Sequence, residues 1–161
     1  MRVVVQRSGP AECVVAGEVT GRIPSGLVVL VSVDPEDGPG DVEWMGNKVA
    51  GLRIFPDTDG KMNRSLLDVQ NDWANAAQPS DITRPGILSI SQFTLHGKTK
   101  KGFRPSFTGA APPEKAKEYY RLFNEDLRRR GLYVAEGVFG AMMDIHLVNE
   151  GPVTIIVDSK E

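Results

Sequence analysis

What most limits the fold of this chain is a succession of strand-length apolar runs that do not alternate regularly with helices. Runs rich in Val, Ile and Leu recur at Arg2–Arg7, Leu27–Val33, Leu52–Phe55, Ile87–Phe93, Met143–Val148 and Val153–Asp158. Most are bounded by Gly, Pro or acidic residues, as strands are. Weaker strand signals cover Glu12–Ala16 and Leu132–Glu136. Two segments carry helical spacing. Val42, Met45, Val49 and Leu52 form one apolar stripe, with Asp41 placed to cap its start. Ala116, Tyr119, Tyr120, Phe123 and Leu127 form the other, opened by Pro112-Pro113 and closed by Gly131. Arg128-Arg129-Arg130 lies in the last turn of this second helix, where cations suit the helix dipole, so the triplet needs no nucleic acid to explain it. The pattern predicts an α/β fold of mixed β-sheets in layers with two main helices outside, rather than a doubly wound nucleotide-binding fold. Residues 1–161 read as a single domain. Within it, Asn71–Pro85 is polar and aperiodic and reads as an inserted surface loop.

Composition removes several classes of function. No apolar run approaches the roughly 20 residues that span a bilayer, and Met1–Arg7 meets charge too soon for a signal peptide, so it reads as a first strand. A cytoplasmic protein with no membrane partner is expected. The lone Cys13 excludes an intrachain disulfide, suits a reducing compartment, and sits in an apolar stretch as a buried structural thiol. Only His96 and His146 accompany it, too few for a His/Cys metal site, so neither metal nor cofactor is expected. His96 leads from a strand into a glycine turn and reads as close to a pocket, while His146 alternates with Ile145 and Leu147 and reads as pointing outward. There is no Gly-x-Gly-x-x-Gly, P-loop or Gly-x-Ser-x-Gly elbow. Catalysis without imidazole or metal would suit an activated ester better than a peptide bond.

The net charge of −2 does not announce a nucleic-acid binder. The charge is uneven, however: Lys98, Lys100, Lys101 and Arg104 form a turn free of acids, able to meet a phosphate backbone or simply be solvated.

Two motifs remain. Ser91-Gln92-Phe93-Thr94-Leu95 ends a strand, where backbone N–H groups beyond the ladder are free. Asn149-Glu150-Gly151-Pro152-Val153-Thr154 lies between the last two apolar runs and would ordinarily be a hairpin turn. In this order and spacing the pair resembles the signature of the D-aminoacyl-tRNA deacylase family. Further matches run nearly end to end: Val-Gln-Arg ending at Arg7, Gly51–Phe55, Gly60–Asn63, Lys100–Phe107 and Phe139–Met143. Only Asn71–Pro85 stands outside them.

The resemblance implies a layered, barrel-like α/β/β arrangement and a homodimer with each active site at the interface. It implies hydrolysis of the ester bond of D-aminoacyl-tRNA, and of glycyl-tRNA, as a proofreading step in translation. Gly151-Pro152, held cis, would enter the partner's pocket and exclude L side chains, a specificity by steric rejection. Arg7 and Met143 would lock that motif. Ser91, Gln92, Phe93 and Thr94 would form the catalytic segment, with the Phe93 and Thr94 N–H groups facing the developing oxyanion. Lys98, Lys100, Lys101 and Arg104 would contact tRNA. Thr94 is either a nucleophile or a positioning group; no base is visible for it, which favours attack by water assisted by the ribose 2′-hydroxyl. Ser8-Gly9-Pro10 departs from the family pattern beside Arg7. A non-catalytic RNA-binding module and a sister deacylase that clears L-amino acids, with a trans Gly-Pro, are the other readings.

Overall fold

A computed structural model describes residues 1–161. In chain order the elements are β1 (Arg2–Val15), β2 (Glu18–Ile23), β3 (Gly26–Ser32), α1 (Pro39–Gly51), β4 (Phe55–Pro56), β5 (Met62–Arg64), α2 (Leu66–Ala74), β6 (Gly86–Ser91), α3 (Pro113–Arg129), β7 (Val134–Glu136) and β8 (Asp144–Asp158). Short 3₁₀ turns lie at Asp81–Thr83 and Phe93–His96.

A six-stranded sheet runs β2-β1-β3-β6-β7, with β8 paired to β1. β1 is antiparallel to β2, β3 and β8, whereas β3–β6 and β6–β7 are parallel, so the sheet is mixed as the sequence predicted. It curls until β2 meets β7. At Gly21 a Cβ would lie 2.6 Å from the Glu136 carbonyl oxygen, so the near-closure of the barrel depends on a residue without a side chain.

The curl explains why β3 is apolar on both faces. Leu27, Val29 and Val31 join Val3, Val5 and Ile87 in a large cluster covered by α1 and α3, while Val28 joins Cys13, Leu88 and Ile90 on the opposite face. Cys13 is fully buried there, the structural thiol expected. α3 seats Ala116, Tyr120, Phe123 and Leu127 in the large cluster, and its last turn ties Arg128 to Glu136 and both Arg129 and Arg130 to Asp126. Gly131 follows at φ 92°, the left-handed residue expected after the helix. Phe123 has no exposed surface. Phe123→Ala is therefore expected to cost about 3–5 kcal/mol, measured as a loss of unfolding free energy in urea.

Several boundaries differ from the sequence reading. Arg2–Arg7 and Glu12–Ala16 are parts of one strand, β1. Met143–Val148, apart from Met143 itself, and Val153–Asp158 likewise merge in β8. Leu52–Phe55 is strand only at its end, because α1 runs to Gly51. Asp41 lies within the first turn of α1, not at its cap; from there its carboxylate accepts from the Gly38 N–H at 2.9 Å. β2 escaped notice because its Glu-Val-Thr-Gly-Arg stretch is largely exposed. There are three helices rather than two. α2 extends into the segment read as a loop, so residues 71–74 form its last turn, and only the remainder to Pro85 is loop and a 3₁₀ turn. Ser65 and Asp68 form a reciprocal capping box, a Ser-x-x-Asp signal that could have located this helix.

Candidate active site

The Ser91–Thr94 segment lies where β6 outruns its ladder. The Gln92 N–H still donates to the Val31 carbonyl at 2.7 Å, and the chain then turns into the Phe93–His96 3₁₀ turn. The N–H groups opening such a turn have no partner within it, so those of Phe93 and Thr94 are available to a bound oxygen. Both side chains are exposed. The Gln92 amide donates to the Thr94 hydroxyl, which therefore has a donor beside it rather than a base. Next to the turn opens a cavity of about 480 Å³, lined by Ser91, Gln92, Phe93, Phe107, Tyr120 and Phe139 among others. Its walls are mainly apolar, and Phe93 and Phe107 meet edge to face at its mouth, ring centroids 5.2 Å apart.

His96 ends the turn. Its Nδ1 lies 2.5 Å from Ser32 Oγ, and its Nε2 lies 3.8 Å from an Asp34 carboxylate oxygen. Burial lowers the imidazole pKa below its usual value, and the Arg2 charge lowers it further, against the pull of Asp34. Both effects favour the neutral ring, which lies close to the pocket as its position in the sequence suggested. His146 points outward, also as expected.

The second motif is a bulge in β8. Between the paired residues Gln6–Thr154 and Ser8–Asn149, β1 advances by Arg7 alone while β8 passes Glu150, Gly151, Pro152 and Val153. The surplus loops outward, so Gly151 and Pro152 are exposed, and the bond between them is cis. Asn149 braces the bulge: its amide donates to Thr154 Oγ at 3.0 Å, and its carbonyl accepts from the Val153 N–H at 3.3 Å. Arg7 is anchored by donating to the Ile54 carbonyl at 2.7 Å. Its guanidinium lies against Gly151, 3.0 Å from where a Cβ would stand. The departure at Ser8-Gly9-Pro10 leaves this contact in place, and the Ser8 hydroxyl donates to the Val148 carbonyl at 3.1 Å.

Two groupings follow. Ser91, Gln92, Phe93 and Thr94 share one strand end, and Arg7 accompanies Gly151-Pro152. Within one chain the groupings lie apart, because the first is level with Val3 of β1 and the second with Arg7, on the order of 15 Å along the strand. Met143 is also distant from its own chain's Gly151-Pro152. It precedes β8 at the far end from the bulge and packs at Gly137 beside Cys13 and Ile90. Lys98, Lys100, Lys101 and Arg104 are exposed on a loop closed by a Lys98–Ser106 bridge, which returns the chain to Phe107 at the cavity mouth. Phe103, at the tip of this loop, is fully exposed, an aromatic among the cations that sequence reasoning passed over. No three His, Cys, Asp or Glu side chains cluster as a metal would require. No helix is long and apolar enough to cross a membrane.

The sequence matches the family described as D-Tyr-tRNA(Tyr) deacylase over residues 4–158. It is 50% identical over 160 residues to a D-aminoacyl-tRNA deacylase of Bacillus cytotoxicus, covering 99% of this chain and 100% of that protein. A Bacillus thuringiensis protein of the same name is 49% identical with the same coverage. Among solved structures, one described as c-Myc DNA Unwinding Element Binding Protein superposes with a TM-score of 0.84 at 37% identity over 98% of each chain. Another, described as a probable eukaryotic D-amino acid tRNA deacylase, superposes with a TM-score of 0.71 at 18% identity over 97% of each, a likeness of fold.

Proposed function

Since the chain belongs to the D-Tyr-tRNA(Tyr) deacylase family, whose relatives are ester hydrolases, we propose that it frees D-amino acids and glycine from tRNA at a site completed across a homodimer. The observation that carries this reading is the projecting Gly151-Pro152 bulge, braced by Asn149 and Arg7 yet remote from the Ser91–Thr94 turn of its own chain. A loop built this firmly and left exposed is suited to filling another copy's cavity. β8 supports the assembly. It pairs only with β1, and it exposes Val148 and Ile156, so a long edge strand awaits cover. Met143, remote within one chain, would meet the motif from the other subunit.

In this arrangement the carbonyl oxygens of the partner's Gly-Pro motif accept the α-ammonium of the substrate. That fixes which substituent of the α-carbon faces open space. A D side chain or a hydrogen is accommodated, whereas an L side chain meets the loop. The Phe93 and Thr94 N–H groups bind the ester carbonyl oxygen and bind it more strongly as charge develops. Water attacks the carbonyl carbon, aided by the 2′-hydroxyl of the terminal adenosine, and the ribose 3′-oxygen leaves with a proton. Gln92 orients the Thr94 hydroxyl and the sugar.

The test is release of amino acid from D-tyrosyl-, L-tyrosyl- and glycyl-tRNA with a chelator present. Rapid release of D-tyrosine and glycine with L-tyrosine spared is expected. Equal cleavage of the L substrate would overturn selection by Gly151-Pro152, and binding without cleavage would favour an RNA-binding module.

The basic loop supplies the contact with tRNA, sequence-blind and salt-dependent. Its four cations make no ion pair within the chain. Replacing Lys100 and Lys101 by Ala is expected to raise KM for D-tyrosyl-tRNA about tenfold in moderate salt and to flatten its salt dependence, with kcat little changed. An unchanged salt slope would place the tRNA elsewhere.

A further inference from the structure

One buried hydroxyl holds both ends of the turn that carries the Phe93 and Thr94 amides. Ser32, the last residue of β3, is almost completely buried at the floor of the cavity. Its Oγ lies 3.4 Å from the carbonyl oxygen of Phe93, the first residue of the turn. The same Oγ lies 2.5 Å from Nδ1 of His96, the last. The charges of Arg2, Asp34, the Met1 ammonium and Asp158 all act on the His96 ring. Arg2 adds a third tie by donating to the Leu95 carbonyl at 3.1 Å, and it is fixed by Asp158 at 2.8 Å.

Ser32 has one proton, so both of its contacts are hydrogen bonds only if the imidazole carries its proton on Nδ1. Nδ1–H then donates to Ser32 Oγ, and the Ser32 hydroxyl donates to the Phe93 carbonyl. That carbonyl belongs to the same peptide unit as the Thr94 N–H. A hydrogen bond received at its oxygen both orients the unit and polarises the N–H, as hydrogen bonds in chains do.

We propose that Ser32 and His96 are positioning residues for ester hydrolysis, forming a His96–Ser32–Phe93 relay that aims and strengthens the Thr94 N–H toward the oxyanion. The inference rests on the deacylase reading of this turn. His96 does not line the cavity, and Ser32, which does, acts through the turn rather than on the substrate. Ser32 lies beneath the turn with its hydroxyl committed to Phe93, and His96 reaches the chemistry only through Ser32. Asp34, at 3.8 Å from Nε2, is too far for a hydrogen bond and does not set the tautomer.

Steady-state hydrolysis of D-tyrosyl-tRNA by the full chain tests the relay, with Ser32→Ala, His96→Leu, His96→Asn and the Ser32→Ala/His96→Leu double variant. Ser32→Ala and His96→Leu are each expected to lower kcat about tenfold with KM within about twofold, the signature of lost transition-state alignment. The double variant should be no slower than either alone, because both break one chain. An Asn amide can place a donor where Nδ1 stands, so His96→Asn should return kcat to within about threefold of the native rate. Native kcat in Ser32→Ala, or His96→Asn as slow as His96→Leu, would overturn the proposal. Imidazole ¹⁵N NMR gives an arm independent of turnover. Nδ1 should be the protonated nitrogen of His96, and its signal should move in Ser32→Ala; a native ring protonated only on Nε2 would refute the relay. If the native chain hydrolysed no D-tyrosyl-tRNA, the deacylase reading would fail together with the catalytic role, whereas the NMR result would still report whether the relay exists.

Discussion

Gly151→Ala is expected to lower kcat/KM for D-tyrosyl-tRNA about 100-fold while leaving the fold intact. Gly151 has φ 118°, a backbone conformation that L side chains rarely adopt. An added Cβ would stand 2.9 Å from Val153 Cγ2, 3.0 Å from Arg7 Nη2 and 3.1 Å from the Val153 nitrogen. Arg7 cannot withdraw freely, because its guanidinium also donates to the Ile54 carbonyl at 2.7 Å. The bulge must therefore change its path, and its carbonyl oxygens move with it. Misplacing a substrate-orienting group by about 1 Å can cost about 100-fold in rate. Gly151 and Pro152 are exposed and belong to neither apolar cluster, and of the bulge only the half-buried Val153 packs against the larger one, so the melting temperature should fall by only a few degrees. Activity and melting should thus separate. A native rate in this variant would mean that the bulge does not hold the substrate. The ratio of D to L hydrolysis is the second readout: a loop that no longer sits close to the α-carbon should exclude L side chains less well.

Replacing the 2′-hydroxyl of the terminal adenosine by hydrogen is expected to slow hydrolysis of D-tyrosyl-tRNA by at least about 100-fold, the usual scale of a well-placed proton-transfer group. The reason lies in what surrounds the turn. The Thr94 hydroxyl accepts from the Gln92 amide, which cannot remove its proton. His96 is the nearest imidazole in sequence, and its ring is turned to Ser32 at 2.5 Å. With no base beside Thr94, the proposed mechanism takes its assisting group from the substrate. Thr94→Ala should accordingly retain a rate within about tenfold of the native enzyme. Full activity on the 2′-deoxy substrate would sink this mechanism. Loss of all turnover in Thr94→Ala, with an acyl-enzyme trapped in the native chain, would make Thr94 the nucleophile instead.

The parts of the fold legible in the sequence are those where local pattern and tertiary packing agree. α3 was readable from Pro113 to Gly131 because its apolar stripe, opening prolines, basic last turn and closing glycine all point to one helix. β3 was readable because burial on both faces leaves a continuous apolar run. β2 was not, since a strand that exposes most of its residues has no apolar signature. α2 carried its own signal in Ser65 and Asp68, but it is short and runs into polar sequence. The Asn71–Pro85 stretch is less free than its composition suggests. The Trp73 ring N–H donates to the Ser80 carbonyl and to the Thr83 hydroxyl, each at 3.2 Å, and Arg84 stacks between Trp73 and Tyr133.

The sequence by itself determined the family, the mixed sheet with helices outside, and the two motifs, because each is written in contiguous residues whose spacing survives without coordinates. Tertiary structure alone decided how those motifs stand to one another. The register of β8 on β1 makes Asn149–Thr154 a bulge within a single strand rather than the hairpin turn such a sequence would ordinarily form, and sets Arg7 against Gly151. The parallel pairing of β3 with β6 brings Ser32 beneath the Phe93–His96 turn, joining residues 61 and 64 positions apart in the chain. Register and strand order are fixed by which faces are buried across the whole sheet. Such contacts depend on pairings far apart in sequence, and no local pattern encodes them.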